Sequence, residues 1–88
     1  MEYRIEWTAP ALRELRKLDK LTARRILVAV TKLRSEPRPA GSRSLTGYPT
    51  GTARIRVGDY RVVYVIDGNV FVITVVRVAH RREAYRNL

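Results

Sequence analysis

The chain has no cysteine, one histidine, one methionine, one tryptophan and one phenylalanine in 88 residues. Without cysteine it has neither disulfides nor thiolate metal ligands, so one small domain must be held by its core alone. A lone histidine beside few acids leaves no ligand set for a metal centre. Long apolar runs are missing too: the longest uncharged apolar-rich stretch, "GNVFVITVV", is too short to span a bilayer as a helix. The start, "MEYRIEWTAP", is mixed and charged, with no apolar core of the kind a secretory leader carries. These absences lead us to expect a single cytoplasmic domain over residues 1–88, with no membrane association, no cofactor and no metal.

Acidic residues are also scarce. Eight Asp and Glu face 18 Lys and Arg, for a formal charge of +10 and a pI near 11.1. An excess of this size in so small a domain points to a polyanionic partner, and nucleic acid is the commonest. The excess is uneven: residues 1–36 carry nine bases and five acids, residues 37–88 nine bases and three acids, and those nine bases are all arginine. Guanidinium presents a planar fork of donors that matches phosphate oxygens, whereas ammonium is a point charge.

Periodicity divides the chain into strands and helices. "EYRIEW" alternates Tyr3, Ile5 and Trp7 with charged residues, which predicts a strand with one buried face. Thr8 is placed to cap a helix with Pro10 in its first turn and Leu12, Leu15 and Leu18 at helical spacing. Asp19-Lys20 breaks it before a second helix, about 21–34, with Ala23, Ile26, Leu27, Val30 and Leu33 as its apolar stripe. Pro37 and Pro39 end that helix. "PRPAGSRSLTGYPTG" reads as a loop, in which Arg38 and Arg43 are candidate phosphate contacts. Strands follow at about 53–57, 60–66 and 70–78, joined by turns at Gly58-Asp59 and Asp67-Gly68. The order predicts an α+β fold, a helical hairpin packed on one face of a four-stranded, mainly antiparallel sheet.

The hairpin "RIRVGDYRVVYV" poses the central question. Turning at Gly58-Asp59, it sets Arg56 directly opposite Arg61, and like charges at facing positions destabilise a strand pair. Alternation gives one face Ile55, Val57, Tyr60, Val62, Tyr64 and Ile66, enough apolar surface to cover the helices. The other carries Arg54, Arg56, Arg61, Val63 and Val65 with no carboxylate to neutralise the arginines, because Asp59 and Asp67 lie at the turns. Such a face reads either as a solvated surface or as a cradle for phosphate, and the facing Arg56–Arg61 pair, which costs stability unless an anion bridges it, favours the cradle. The third strand has two registers: a two-residue loop turns Phe71, Ile73 and Val75 to the core, and a three-residue loop brings Arg77 to the arginines instead. The better core residues favour the first.

The chain then reads "AHRREAY". Placed beside the basic face, Tyr85 would meet several guanidinium groups, which favour an ionised phenol able to take a proton from a hydroxyl. Arginine would stabilise charge on a phosphate. Such a set suits attack of an RNA 2′-hydroxyl on its adjacent phosphate without a metal.

The run "LTGYPTGTARIRVGDYRVVYVIDGNVFVITVVRVAHRREAYR", with the strand and helical hairpin before it, resembles the RelE branch of the RelE/ParE bacterial toxin superfamily. The resemblance implies a toxin of a type II toxin–antitoxin system, a ribosome-dependent endoribonuclease that cuts translated mRNA and is silenced by a cognate antitoxin in a hetero-oligomer. It implies that Arg54 and Arg56 hold phosphate and stabilise the transition state. Arg61 and Arg81 match the family's catalytic arginines, Arg81 being the acid or leaving-group stabiliser, and Tyr85 matches the tyrosine base. Arg38, Arg43 and Arg82 are the candidate RNA-binding residues. His80 is open between an acid–base group and a structural role. Ala53 stands where relatives often carry a bulky aromatic residue, and "RVAH" is similar to the ParE branch, whose members poison DNA gyrase. A gyrase-directed toxin and a non-catalytic RNA-binding domain are the two alternatives.

Overall fold

The computed structural model describes residues 2–82. Its elements run β1 (Arg4–Trp7), α1 (Ala9–Arg16), α2 (Lys20–Lys32), β2 (Arg43–Ser44), β3 (Thr52–Val57), β4 (Tyr60–Asp67) and β5 (Val72–His80). Thr8 caps α1, its hydroxyl accepting the N–H of Ala11. Asp19 caps α2: its carboxylate accepts the Thr22 hydroxyl at 2.7 Å and the Thr22 N–H at 3.1 Å, which hold it below the usual carboxyl range. Among the described residues, no helix is long and apolar enough to cross a membrane.

The sheet has five strands in the order β1-β5-β4-β3-β2, one more than the four read from the sequence; it is mixed, with β1–β5 parallel, and mainly antiparallel as expected, since the other three pairings are antiparallel. The fifth strand is β2, from the segment read as loop. It lies on the open edge of β3, with Arg43 opposite Arg54 and Ser44 opposite Ala53, giving that edge's backbone groups partners. The β3-β4-β5 meander leaves one edge of β5 open, and β1 fills half of it in parallel, Arg4 to Trp7 beside Val72 to Val75.

The hairpin register is as expected, with Val57 opposite Tyr60 and Arg56 opposite Arg61. Gly58, at φ 58°, supplies the left-handed residue that a two-residue turn needs. Gly51, at φ 89°, is also fixed, since a Cβ there would collide with the Ile66 carbonyl oxygen. Both helices lie on the apolar face, where Ala11, Leu15, Ile26, Val30 and Leu33 meet Ile55, Val62, Tyr64, Ile73, Val75 and Val78. Ile26, Leu33 and Ile73 are fully buried, each worth roughly 1.5–3 kcal/mol. Leu27, expected in the stripe, is 45% exposed, and Leu12 is half-buried outside the core cluster.

The β4–β5 connection differs from the expected two-residue turn. Asp67 pairs with Val72, the Asp67 carboxylate accepts the Asn69 N–H, and Phe71 turns the chain at φ 54°. Four residues connect the strands instead of two, so the inside–outside parity survives: Ile73 and Val75 are core, while Phe71 is expelled to stack edge-on against Tyr3. A bulge then advances β5 by one residue, Tyr64 pairing with Val75 and Val63 with Arg77. The two registers that excluded each other in sequence are both present, one on each side of Val76.

Three hydrogen bonds tie the segment between α2 and β3 to the sheet. The Tyr64 hydroxyl donates to the Pro37 carbonyl at 2.8 Å, Arg54 Nη1 to the Gly41 carbonyl at 3.3 Å, and the Thr52 hydroxyl to the Pro49 carbonyl at 2.6 Å. Burial pushes the Tyr64 phenol up, against the nearby Arg38 charge and the Ser42 hydrogen bond. A phenol raised in the folded state adds stability below its unfolded value of 10.0 and loses it as pH rises toward the folded value. Tyr64→Phe should therefore cost about 1 kcal/mol at neutral pH. Urea melts from pH 7 to 11 should also show the wild-type advantage shrinking above pH 10; a constant difference would contradict this role.

Candidate active site

Strand pairing defines two rows of side chains on the face opposite the helices. The first runs Arg56, Arg61, Ala79 across β3, β4 and β5; the second runs Arg43, Arg54, Val63, Arg77 across β2 to β5. Five arginines thus occupy two neighbouring rows. Neither row contains a carboxylate, and Glu6, on the same face nearer the other end, is 3.2 Å from Arg4. Val63 is 1% exposed although it faces away from the helices; it lies between Arg54 and Arg77, whose long stems suit covering an apolar floor.

The arginines differ in their surroundings. Arg56 is exposed, and no ion pair among the described residues involves it. Arg61 is half-buried, and its Nε is buried without a hydrogen-bond partner among the described residues. A buried donor left unpaired costs free energy, and an anion bridging Arg61 and Arg56 removes both that cost and the repulsion between them. Arg54 is 6% exposed and donates to Gly41, so it clamps the adjoining loop as well as contributing charge. In that loop Arg38 donates to the Ser44 hydroxyl at 3.3 Å, and Arg43 is exposed at the rim of the face.

The end of β5 brings Arg81 to the hairpin turn, its N–H donating to the Asp59 carbonyl at 2.7 Å; the side chains of Arg81 and Arg82 are both exposed. His80 is opposite Tyr60, and the rings meet edge-to-face at 5.6 Å. This places His80 on the helix side of the sheet, away from the Arg56–Arg61 pair. Its Nδ1 accepts the Arg82 N–H at 3.3 Å. Tyr85 lies outside the described residues.

Two residues were not singled out from the sequence as part of the site. Arg77 reaches the arginine face through the bulge, for which the doublet Val75-Val76 in an otherwise alternating strand is the signal. Glu14 of α1 accepts Arg77 Nε–H at 2.9 Å and the Val78 N–H at 2.8 Å, a tertiary contact with no local signature. Beside the face, a groove of about 750 Å³ opens between α2, β3 and the preceding loop, with Arg24, Arg25, Lys32, Arg54 and Arg56 among its lining and Val28 exposed within it.

A family model described as the ParE toxin of the type II toxin–antitoxin system, parDE, matches residues 5–85. The toxin RelG of Mycobacterium tuberculosis is 36% identical over 91 aligned residues, covering 98% of this chain and 99% of its own. The chain belongs to the RelE/ParE superfamily of type II toxins. Within it the chain is RelE-like. Toxin RelE of the same organism is 33% identical over 96% of this chain and 87% of its own. RelE in the crystal structure of the archaeal RelE–RelB complex from Pyrococcus horikoshii superposes with a TM-score of 0.83 at 31% identity, covering 96% of this chain and all of that one.

In this RelE-like toxin the arginines should separate by their contribution to stability. Arg56→Ala, which relieves a facing like charge at an exposed position, should leave the melting temperature unchanged or raise it, by up to about 1 kcal/mol of stability. Arg54→Ala should lower it, by about 1–3 kcal/mol, because it removes a buried donor from the loop. Thermal melts of both variants read this directly, and clear destabilisation by Arg56→Ala would contradict the electrostatic account.

Proposed function

We propose that this toxin is a ribosome-dependent, metal-independent endoribonuclease that cuts translated mRNA by attack of an RNA 2′-hydroxyl on the adjacent phosphate. The observation that carries the reading is the facing Arg56–Arg61 pair, in which Arg61 Nε is buried without a hydrogen-bond partner and neither arginine has an ion pair among the described residues. The scissile phosphate supplies what that pair lacks. As the 2′-oxygen attacks, negative charge builds on the non-bridging oxygens, and Arg56 and Arg61 stabilise it with donors already in place. Arg54, held against Gly41, adds to the field and fixes the loop that carries Arg38 and Arg43 as further backbone contacts. Tyr85 is assigned as the base that takes the 2′-proton, and Arg81 as the group that supports or protonates the departing 5′-oxygen. The products are a 2′,3′-cyclic phosphate and a 5′-hydroxyl. Arg82 is assigned to RNA binding. His80 packs on Tyr60 across the sheet from the arginine pair, so we give it a structural part.

The P. horikoshii relative is seen in complex with RelB, and we assign this chain a cognate antitoxin that silences it in a hetero-oligomer in the cytoplasm. The cationic groove, which reaches Arg54 and Arg56, suits an acidic segment of that partner. The match to a family described as ParE toxin favours one second reading, a gyrase-directed poison without nuclease chemistry.

Inducing wild type and Tyr85→Phe in matched cells, with primer extension on messenger RNA, separates these. The nuclease reading expects codon-phased new 5′ ends with wild type and a loss on the order of a hundredfold in the variant. Equal cleavage by both would remove Tyr85 from the chemistry. Growth arrest without new ends would replace the nuclease with the gyrase reading.

A further inference from the structure

The parallel pairing of β1 with β5 stops at Trp7–Val75, yet β5 continues to His80. Among the described residues no strand pairs with that edge from Val76 onward, and α1 lies there instead. The Thr8 N–H donates to the Val75 carbonyl at 3.0 Å and its hydroxyl lies 3.5 Å from the Val76 carbonyl. Six residues further along, nearly two turns of α1, both oxygens of Glu14 are used, one for Val78 N–H at 2.8 Å and one for Arg77 Nε at 2.9 Å. The two contacts bracket the bulge at Val76. Without that bulge, Arg77 would fall opposite Val62 and point into the core, and every later residue would change faces.

We propose that Glu14 is a positioning residue for the reaction: by gripping Val78 and Arg77 it locks the bulged register and so fixes where Arg61 and Arg81 project. The path is short. Val78 precedes Ala79, which is opposite Arg61, and Arg81 follows two residues later, with its N–H on the Asp59 carbonyl. Extended, hydrogen-bonded backbone transmits the anchor without slack. Glu14 and Arg77 are both half-buried, which fixes the geometry more firmly than an exposed pair would. Gln at position 14 keeps a carbonyl for the Val78 N–H and gives up the charge opposite Arg77; Ala gives up both.

This inference rests on the nuclease reading for its kinetic arm and has a second arm that does not. In the kinetic arm, wild type, Glu14→Ala and Glu14→Gln cleave mRNA on programmed ribosomes, each well below its own melting temperature. Glu14→Ala should lose ten- to a hundredfold in kcat with KM nearly unchanged, as expected when catalytic groups shift by a fraction of an ångström to an ångström. Glu14→Gln should recover most of it. In the second arm, amide hydrogen exchange on the free protein should show Val78 and Arg81 exchanging at least tenfold faster in Glu14→Ala, and nearly as in wild type in Glu14→Gln. A folded Glu14→Ala with wild-type kcat, or with Arg81 exchange unchanged, overturns the proposal. If wild type cuts no RNA, the nuclease reading fails by itself, and the exchange arm still decides whether Glu14 holds the strand.

Discussion

Everything on the sheet's outer face depends on one registration, Arg56 against Arg61 across a two-residue turn. The pleat leaves no freedom once the helices have claimed Ile55, Val62 and Tyr64: their neighbours must face away, and Arg54, Arg56 and Arg61 are among those neighbours. A fold that hides its apolar surface on one side therefore concentrates cations on the other. The protein bears facing like charges and a buried Arg61 Nε without a partner among the described residues, and in the function proposed above a bound phosphate would complete the pair. The electrostatic cost at this spot is local. The core, the caps and the tethers of the preceding loop follow ordinary rules.

The rest of the structure holds that registration in place. Tyr64 and Arg54 secure the loop between α2 and β3, so the residues flanking the arginine face are fixed from beneath and from the side. At the other edge α1 stands in for a missing strand, with Thr8 and Glu14 meeting the backbone of β5 on either side of its bulge. The helical hairpin covers the core and also sets the phase of the strand that leads to Arg81.

Local patterning made the hairpin legible in the sequence, because a two-residue turn at Gly58-Asp59 and strict alternation fix both its register and its faces. The same logic found both helices and the Thr8 cap, while Asp19, read as a break between the helices, proves to cap the second. It missed β2, since two residues of Arg and Ser carry no strand signal and pair only because β3 offers an edge. It missed the parallel placement of β1, which depends on the edge left open by the meander. The β4–β5 turn was misread because Phe71 adopts a left-handed backbone, which propensity disfavours for a bulky residue, so that the connection runs to four residues with Asp67 accepting the Asn69 N–H. Of the candidate site, Arg54, Arg56 and Arg61 could be placed from alternation alone. Arg77 needed the bulge, and Glu14 needed the helix packed against it.

The most direct test of the central claim is to follow the arginine Nε–H resonances by NMR while titrating in an RNA oligonucleotide carrying a 2′-deoxy sugar at the cleavage position. Because the oligonucleotide cannot be cut, binding is read without chemistry. If phosphate completes the facing pair, the Nε–H signals of Arg61 and Arg56 shift together and saturate, and Arg56→Ala weakens the effect at Arg61. Saturable binding that moves other arginines and leaves Arg61 where it was would contradict the account.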